Sequence, residues 1–118
     1  MNALKKQADS LWSLVIKKRD NYRCQLAGKD HLKCKGNLQS AHIISRTKLS
    51  IRYNLCNGRC LCQAHHTYYT FRSSEWIQIV TQLWNDDYVS LLQQRNLLQK
   101  QFDFNEQIDE LRMKLETV

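Results

Sequence analysis

The chain has 118 residues, a formal net charge of +7, 42% hydrophobic residues, five cysteines and no proline. That length suits one domain, 1–118, with a modest core. No apolar run approaches the roughly 20 residues of a membrane helix and no signal-peptide pattern is present, so a cytoplasmic protein without a membrane partner is expected.

The charge is unevenly spread. Residues 1–62 carry thirteen Lys/Arg against three Asp/Glu, and residues 63–118 carry five against eight. A basic first part points to phosphate contact there, and so to nucleic acid as a partner.

In chain order, Leu4, Ala8, Leu11, Trp12, Val15 and Ile16 recur at helical spacing. They predict an amphipathic helix over about 3–19, with Lys17, Lys18 and Arg19 suiting its C-terminal end. Residues 20–37 read as a Gly- and Lys-containing loop. Leu38 to Ile44 reads as a strand, with β-branched Ile43 and Ile44 after His42. Thr47 to Asn57 reads as a connecting loop and Arg59 to Leu61 as a short second strand, and a helix starting near Gln63 carries His65 and His66. Ser73 or Ser74 is expected to cap another helix, whose apolar face is Trp76, Ile77, Val80, Leu83 and Trp84. Asn85-Asp86-Asp87 is expected to break and restart it. Tyr88, Leu91, Leu92, Arg95, Leu98 and Phe102 then fit a helix. Asp103-Phe104-Asn105-Glu106 has the look of a capping box, followed by Ile108, Leu111 and Leu115 at helical spacing. These last helices either cover the core or offer a face to a protein partner or a second copy of the chain; they keep no clean heptad.

The cysteines are Cys24, Cys34, Cys56, Cys60 and Cys62. An odd number with histidines nearby argues for a metal and against a disulfide framework. Cys60 is expected to alternate in direction with Cys62 along the second strand and to face the core. Cys56 is read as a buried thiol.

One spacing organises the rest. His42 is followed by Asn57 fifteen residues on, and by His66 nine residues after that. A His on an apolar strand, an Asn in a return loop and a His opening a helix are the three parts of a one-metal nuclease site: the base, the group that positions it, and the metal ligand. The surrounding stretches are Ala41-His42-Ile43-Ile44-Ser45-Arg46, Ile51-Arg52-Tyr53-Asn54-Leu55-Cys56-Asn57 and Leu61-Cys62-Gln63-Ala64-His65-His66. In residue type, order and spacing they resemble the HNH endonuclease family over roughly residues 11–84, with the likeness closest to small phage and bacterial members. His65 stands in the place of that family's second turn cysteine.

The resemblance implies an α+β fold: a ββα-metal core over about 20–72 with a zinc site, flanked by the N-terminal helix, about 3–19, and a C-terminal helical region, about 73–118. It implies a metal-dependent DNA endonuclease, nicking or cutting both strands, in a bacterial or phage-infected cell. His42 would be the general base, oriented by a backbone carbonyl. Asn57 would brace the loop or the metal side. His66, with Asn57, would serve the catalytic divalent ion, Mg²⁺ or Mn²⁺, with Ni²⁺ a further candidate. Structural zinc would be held by Cys62 and His65, with Cys24 and Cys34 as the best first pair and His31 as a substitute. Arg46, Arg52 and Arg59 flank the motif as candidates to clamp phosphate, Arg52 foremost. Two further positions depart from the family pattern. Ala41 stands where many relatives place an Asp or His beside the base, and Ala27 stands where a second cysteine would follow Cys24. Ala41 motivates an alternative: a zinc-stabilised DNA-binding or accessory module without catalysis.

Overall fold

Helix α1 (Ala3–Arg19) opens on the Asn2 side chain, which accepts the Leu4 N–H, and closes on three basic residues that complement its C-terminal dipole. Its buried stripe is Ala8, Trp12, Val15 and Ile16, the face that the periodicity predicts. The computed structural model describes residues 2–97 and 102–118. The elements after α1 are β1 (Leu38–His42), α2 (Leu49–Arg52), a 3₁₀ turn (Leu55–Asn57), β2 (Gly58–Cys62), α3 (Gln63–Thr70), α4 (Ser73–Arg95) and α5 (Phe104–Thr117). The fold is α+β. Its radius of gyration, 14.3 Å, is near the roughly 13.5 Å of a compact chain of this size. Among the described residues, no helix is long and apolar enough to cross a membrane.

The two strands pair antiparallel, with Ala41 opposite Arg59 and His42 opposite Gly58. One face of this hairpin meets α1. The other packs Ala41 and Leu61 with Leu26, Tyr69 and Ile79 from the cysteine loop, α3 and α4. Gly58 is required by close approach. A Cβ there would run into the Trp12 indole, which covers this end of the hairpin. At the other end of the molecule, α5 lays Ile108 and Leu111 on α1, joining Trp12 and Tyr53 in one core cluster. Asp103 caps α5 by accepting the Asn105 and Glu106 N–H groups at 2.9 and 3.2 Å.

Several local expectations change. β1 ends at His42, two residues early, because Asn57 takes over the backbone groups of Ile43 and Ile44. The connecting segment is not all loop, since it contains α2 and the 3₁₀ turn. The N-cap of α4 is Arg72, with Ser73 already helical and no side-chain cap bond. The expected break and restart at residues 85–87 falls one residue earlier, at Trp84, whose backbone is non-helical (φ −134°, ψ 41°), so that two helical stretches meet across a kink. Leu98 lies outside the described residues, and Phe102 lies before α5 begins. Cys56 is exposed, because the short turn before β2 directs it outward. Cys60 is fully buried, but alternation is not the cause: positions two apart on a strand share a face.

Candidate functional site

Two sites lie on either side of α3. The first is a cluster of Cys24, Cys34, Cys62 and His65, whose ligand atoms all fall within 4.8 Å of one another. The loop carrying Cys24 and Cys34 is pinned to the hairpin by Gln25 N–H donating to the Cys60 carbonyl at 2.8 Å. Ala64 N–H, on the first turn of α3, donates to the Lys35 carbonyl at 3.0 Å. The His65 Nδ1 stands 3.6, 3.8 and 3.1 Å from the sulfurs of Cys24, Cys34 and Cys62. A tetrahedral zinc with ordinary bond lengths separates nitrogen from sulfur by about 3.6 Å, so the four groups can hold a metal ion and suit zinc.

An unforeseen residue completes this site. His65 Nε2 donates to Asp30 Oδ1 at 2.8 Å, and Tyr69 Oη donates to Asp30 Oδ2 at 2.7 Å. A carboxylate on the far ring nitrogen fixes the tautomer and turns the Nδ1 lone pair toward the sulfurs, as behind metal-binding histidines generally. Burial and the adjoining sulfurs push the Cys34 thiol up to about 12. Burial also opposes the Cys62 thiolate, but hydrogen bonds, foremost that from the His65 backbone N–H, outweigh it and bring that thiol down to about 6. Sulfurs crowded this closely favour a divalent cation among them. His31 is outside the cluster, edge-on to the Tyr68 ring at 5.4 Å.

The second site is a cleft of about 640 Å³ whose walls include His42, His66, Ser45, Arg46 and Thr70. His42 Nε2 donates to the Arg52 carbonyl at 2.9 Å, so Nδ1 keeps its lone pair. The ring also stacks on Trp12, centroids 4.0 Å apart and planes 9° apart. Burial pulls its pKa from 6.5 down to about 4; the Arg52 carbonyl bond works the other way, and the positive charges of Arg52 and Arg46 add to the fall. His66 Nδ1 is bonded to Gln39 Oε1, which as an acceptor leaves the lone pair on Nε2. Burial lowers its pKa too. The chain matches no protein-family model, no curated protein and no solved structure.

The remaining motif residues divide. Asn57 is wholly buried, and its side chain is committed to backbone: Oδ1 accepts Ile44 N–H at 2.8 Å, and Nδ2 donates to the carbonyls of Ile44 and Ile51, each at 3.1 Å. It braces the segment after β1 against α2, buried and with both polar atoms engaged rather than facing the cleft. Arg52 is buried in a two-pronged pair with Asp9 at 2.8 and 2.9 Å, which corrects its expected role as the main phosphate clamp. Arg59 is likewise engaged, paired with Asp87 and lying over the Trp84 ring at 4.8 Å. Of the three arginines, Arg46 is the exposed one, on the cleft wall. Ala41 is buried against Leu26 and Leu61.

Proposed function

We propose that this chain is an HNH-type endonuclease, a metal-dependent hydrolase of DNA phosphodiester bonds built on a ββα-metal core with a zinc staple. The observation that carries this reading is the paired setting of two histidines in one cleft. His42 is hung by Nε2 from a backbone carbonyl with Nδ1 free, and His66 is oriented by Gln39 with Nε2 free. One nitrogen suits a general base and the other a metal ligand. The hairpin followed by α3 is the order of elements such a core requires.

In this reading, His42 Nδ1 takes a proton from water as the water oxygen bonds to phosphorus. The P–O bond to the leaving oxygen then breaks, and that oxygen is protonated from solvent. The neutral ring at pH 7 is ready to accept, and the negative phosphate raises its basicity as DNA enters the cleft. A divalent ion on His66 would offset charge on the phosphate and the leaving oxygen. With Ala41 apolar and Asn57 committed, phosphate oxygens and water must complete its shell, so its binding without DNA is weak. Arg46, exposed on the cleft wall, is positioned to meet the phosphate backbone.

Ala41 favours a second reading, a zinc-stapled DNA-binding module without cleavage. Incubating supercoiled plasmid with the protein in Mg²⁺, Mn²⁺, Ni²⁺ or EDTA separates the two. Nicked or linear product with a divalent ion and none in EDTA is expected. DNA retention without product under every condition selects the binding module.

A further inference from the structure

Asp9 lies on α1, outside the strand, loop and helix that carry the His–Asn–His spacing, yet it is tied to the base through a short series of bonds. Its two carboxylate oxygens receive Arg52 Nε and Nη2 at 2.9 and 2.8 Å, and Tyr53 Oη donates to Oδ1 at 2.8 Å. Burial pushes the Asp9 carboxyl up, but the bonds from Arg52 and Tyr53 outweigh it and hold it below the usual range. The third arm of the guanidinium, Nη1, donates to the Arg46 carbonyl at 2.8 Å. One side chain therefore joins α1, the loop after β1 and the end of α2.

Arg52 is also the last residue of α2. The final carbonyls of a helix lack intrahelical donors, and the one on Arg52 is taken by His42 Nε2 at 2.9 Å. A helix of four residues has little rigidity of its own. The Arg52 side chain ties this end of α2 to Asp9 on α1 and to the Arg46 carbonyl, beside the tie that Asn57 makes to the Ile51 carbonyl.

We propose that Asp9 is a positioning residue for His42, fixing through the Arg52 guanidinium the backbone carbonyl that sets the tautomer and direction of the ring. The proposal rests on the nuclease reading for its meaning but not for its test. In the zinc-loaded full chain at pH 7, the His42 Nε2–H should be a slowly exchanging downfield proton signal in nuclear magnetic resonance. Asp9→Asn removes the charge that clamps Arg52, and should speed exchange of that proton about tenfold or more. Tyr53→Phe removes the other bond to Asp9 but keeps the two-pronged Arg52–Asp9 pair and the aromatic ring beside the guanidinium, and should leave the exchange near wild type. Arg52→Lys keeps a cation but loses the second prong and the bond to the Arg46 carbonyl, and should reproduce Asp9→Asn. If Asp9→Asn does not fold, Arg52→Lys decides by the same criterion.

Cleavage provides the second readout. A displaced base lowers kcat, on the order of 10- to 100-fold, while KM for DNA stays within about twofold. An unchanged His42 ring proton in folded Asp9→Asn or Arg52→Lys overturns the proposal, whatever the cleavage assay gives. Wild type that never cuts DNA overturns the nuclease reading and leaves the exchange measurement to judge Asp9.

Discussion

The Trp12 indole lies flat on the His42 imidazole, with centroids 4.0 Å apart and planes 9° apart. Trp12 Nε1 donates to the Asn54 carbonyl at 3.3 Å, so the ring that covers the histidine is itself fixed to the return loop. The N-terminal helix is therefore a wall of the candidate site as well as a cover for the core.

This burial gives a pH signature. The His42 pKa falls from 6.5 to about 4, burial being the main cause. The unfolded chain takes up the proton near 6.5 and the folded chain does not, so the associated stability is complete above about 6.5 and is lost as pH falls toward 4. A shift of that size corresponds to at most about 3 kcal/mol. Urea unfolding of wild type should weaken between pH 7 and 4.5 more than that of His42→Gln, and the His42 ring signals should titrate near 4. A titration near 6.5 contradicts the burial described.

The metal cluster predicts about one zinc per chain by elemental analysis, since structural zinc sites are four-coordinate. Cys34→Ser should lose the zinc and cooperative unfolding with it, because site assembly and folding are linked. Asp30→Asn keeps all four ligands but loses the carboxylate behind His65, and should weaken zinc binding about 10- to 100-fold. Well-folded wild type without zinc refutes the site, and wild-type affinity in Asp30→Asn refutes its support.

Legibility from the sequence followed the kind of signal. Spacing was enough for α1 and for the hairpin, which rest on residue type at short range; grouping Cys24, Cys34, Cys62 and His65 took the family resemblance as well, and the fold brings the four together. Ion pairing across the fold was not readable. Nothing near Arg52 in sequence announces Asp9, forty-three positions away. Asp30 is a common residue type in a polar loop, and Gln39 is one glutamine on a strand; their roles come from the rings they meet. Cys56 was misread because a general tendency of thiols toward burial says nothing of a short turn that faces outward.

The arginines should separate by salt dependence. Arg46→Ala removes a cation exposed on the cleft wall, and should weaken duplex binding and shallow the slope of log affinity against log salt by about one contact. Arg59→Ala removes a pair with Asp87 and a stack on Trp84, so its main effect should be lower stability. Fluorescence anisotropy from low to moderate salt checks the first, and urea unfolding the second. Equal binding loss in both variants contradicts the division drawn between them.

Ala41 offers a gain-of-function test. Its side chain is apolar and packed against Leu61, at the position where a carboxylate would adjoin His42. Ala41→Asp should tighten Mg²⁺ binding in isothermal titration, because a hard ion gains an anionic oxygen, at some cost in core packing. His66→Ala should abolish binding at this second site while leaving zinc content unchanged. Unaltered Mg²⁺ binding in both variants contradicts the proposed ion site on His66.

The most direct measurement is the single-turnover rate of plasmid cleavage in Mn²⁺ for wild type, His42→Ala and His66→Ala, each verified as folded and zinc-loaded. Loss of a positioned base lowers rate by about 10²–10⁴, so His42→Ala should fall by that range with DNA affinity retained, and His66→Ala should not cut. Cleavage by His42→Ala or His66→Ala at the wild-type rate would contradict the assignment of this cleft as the catalytic site.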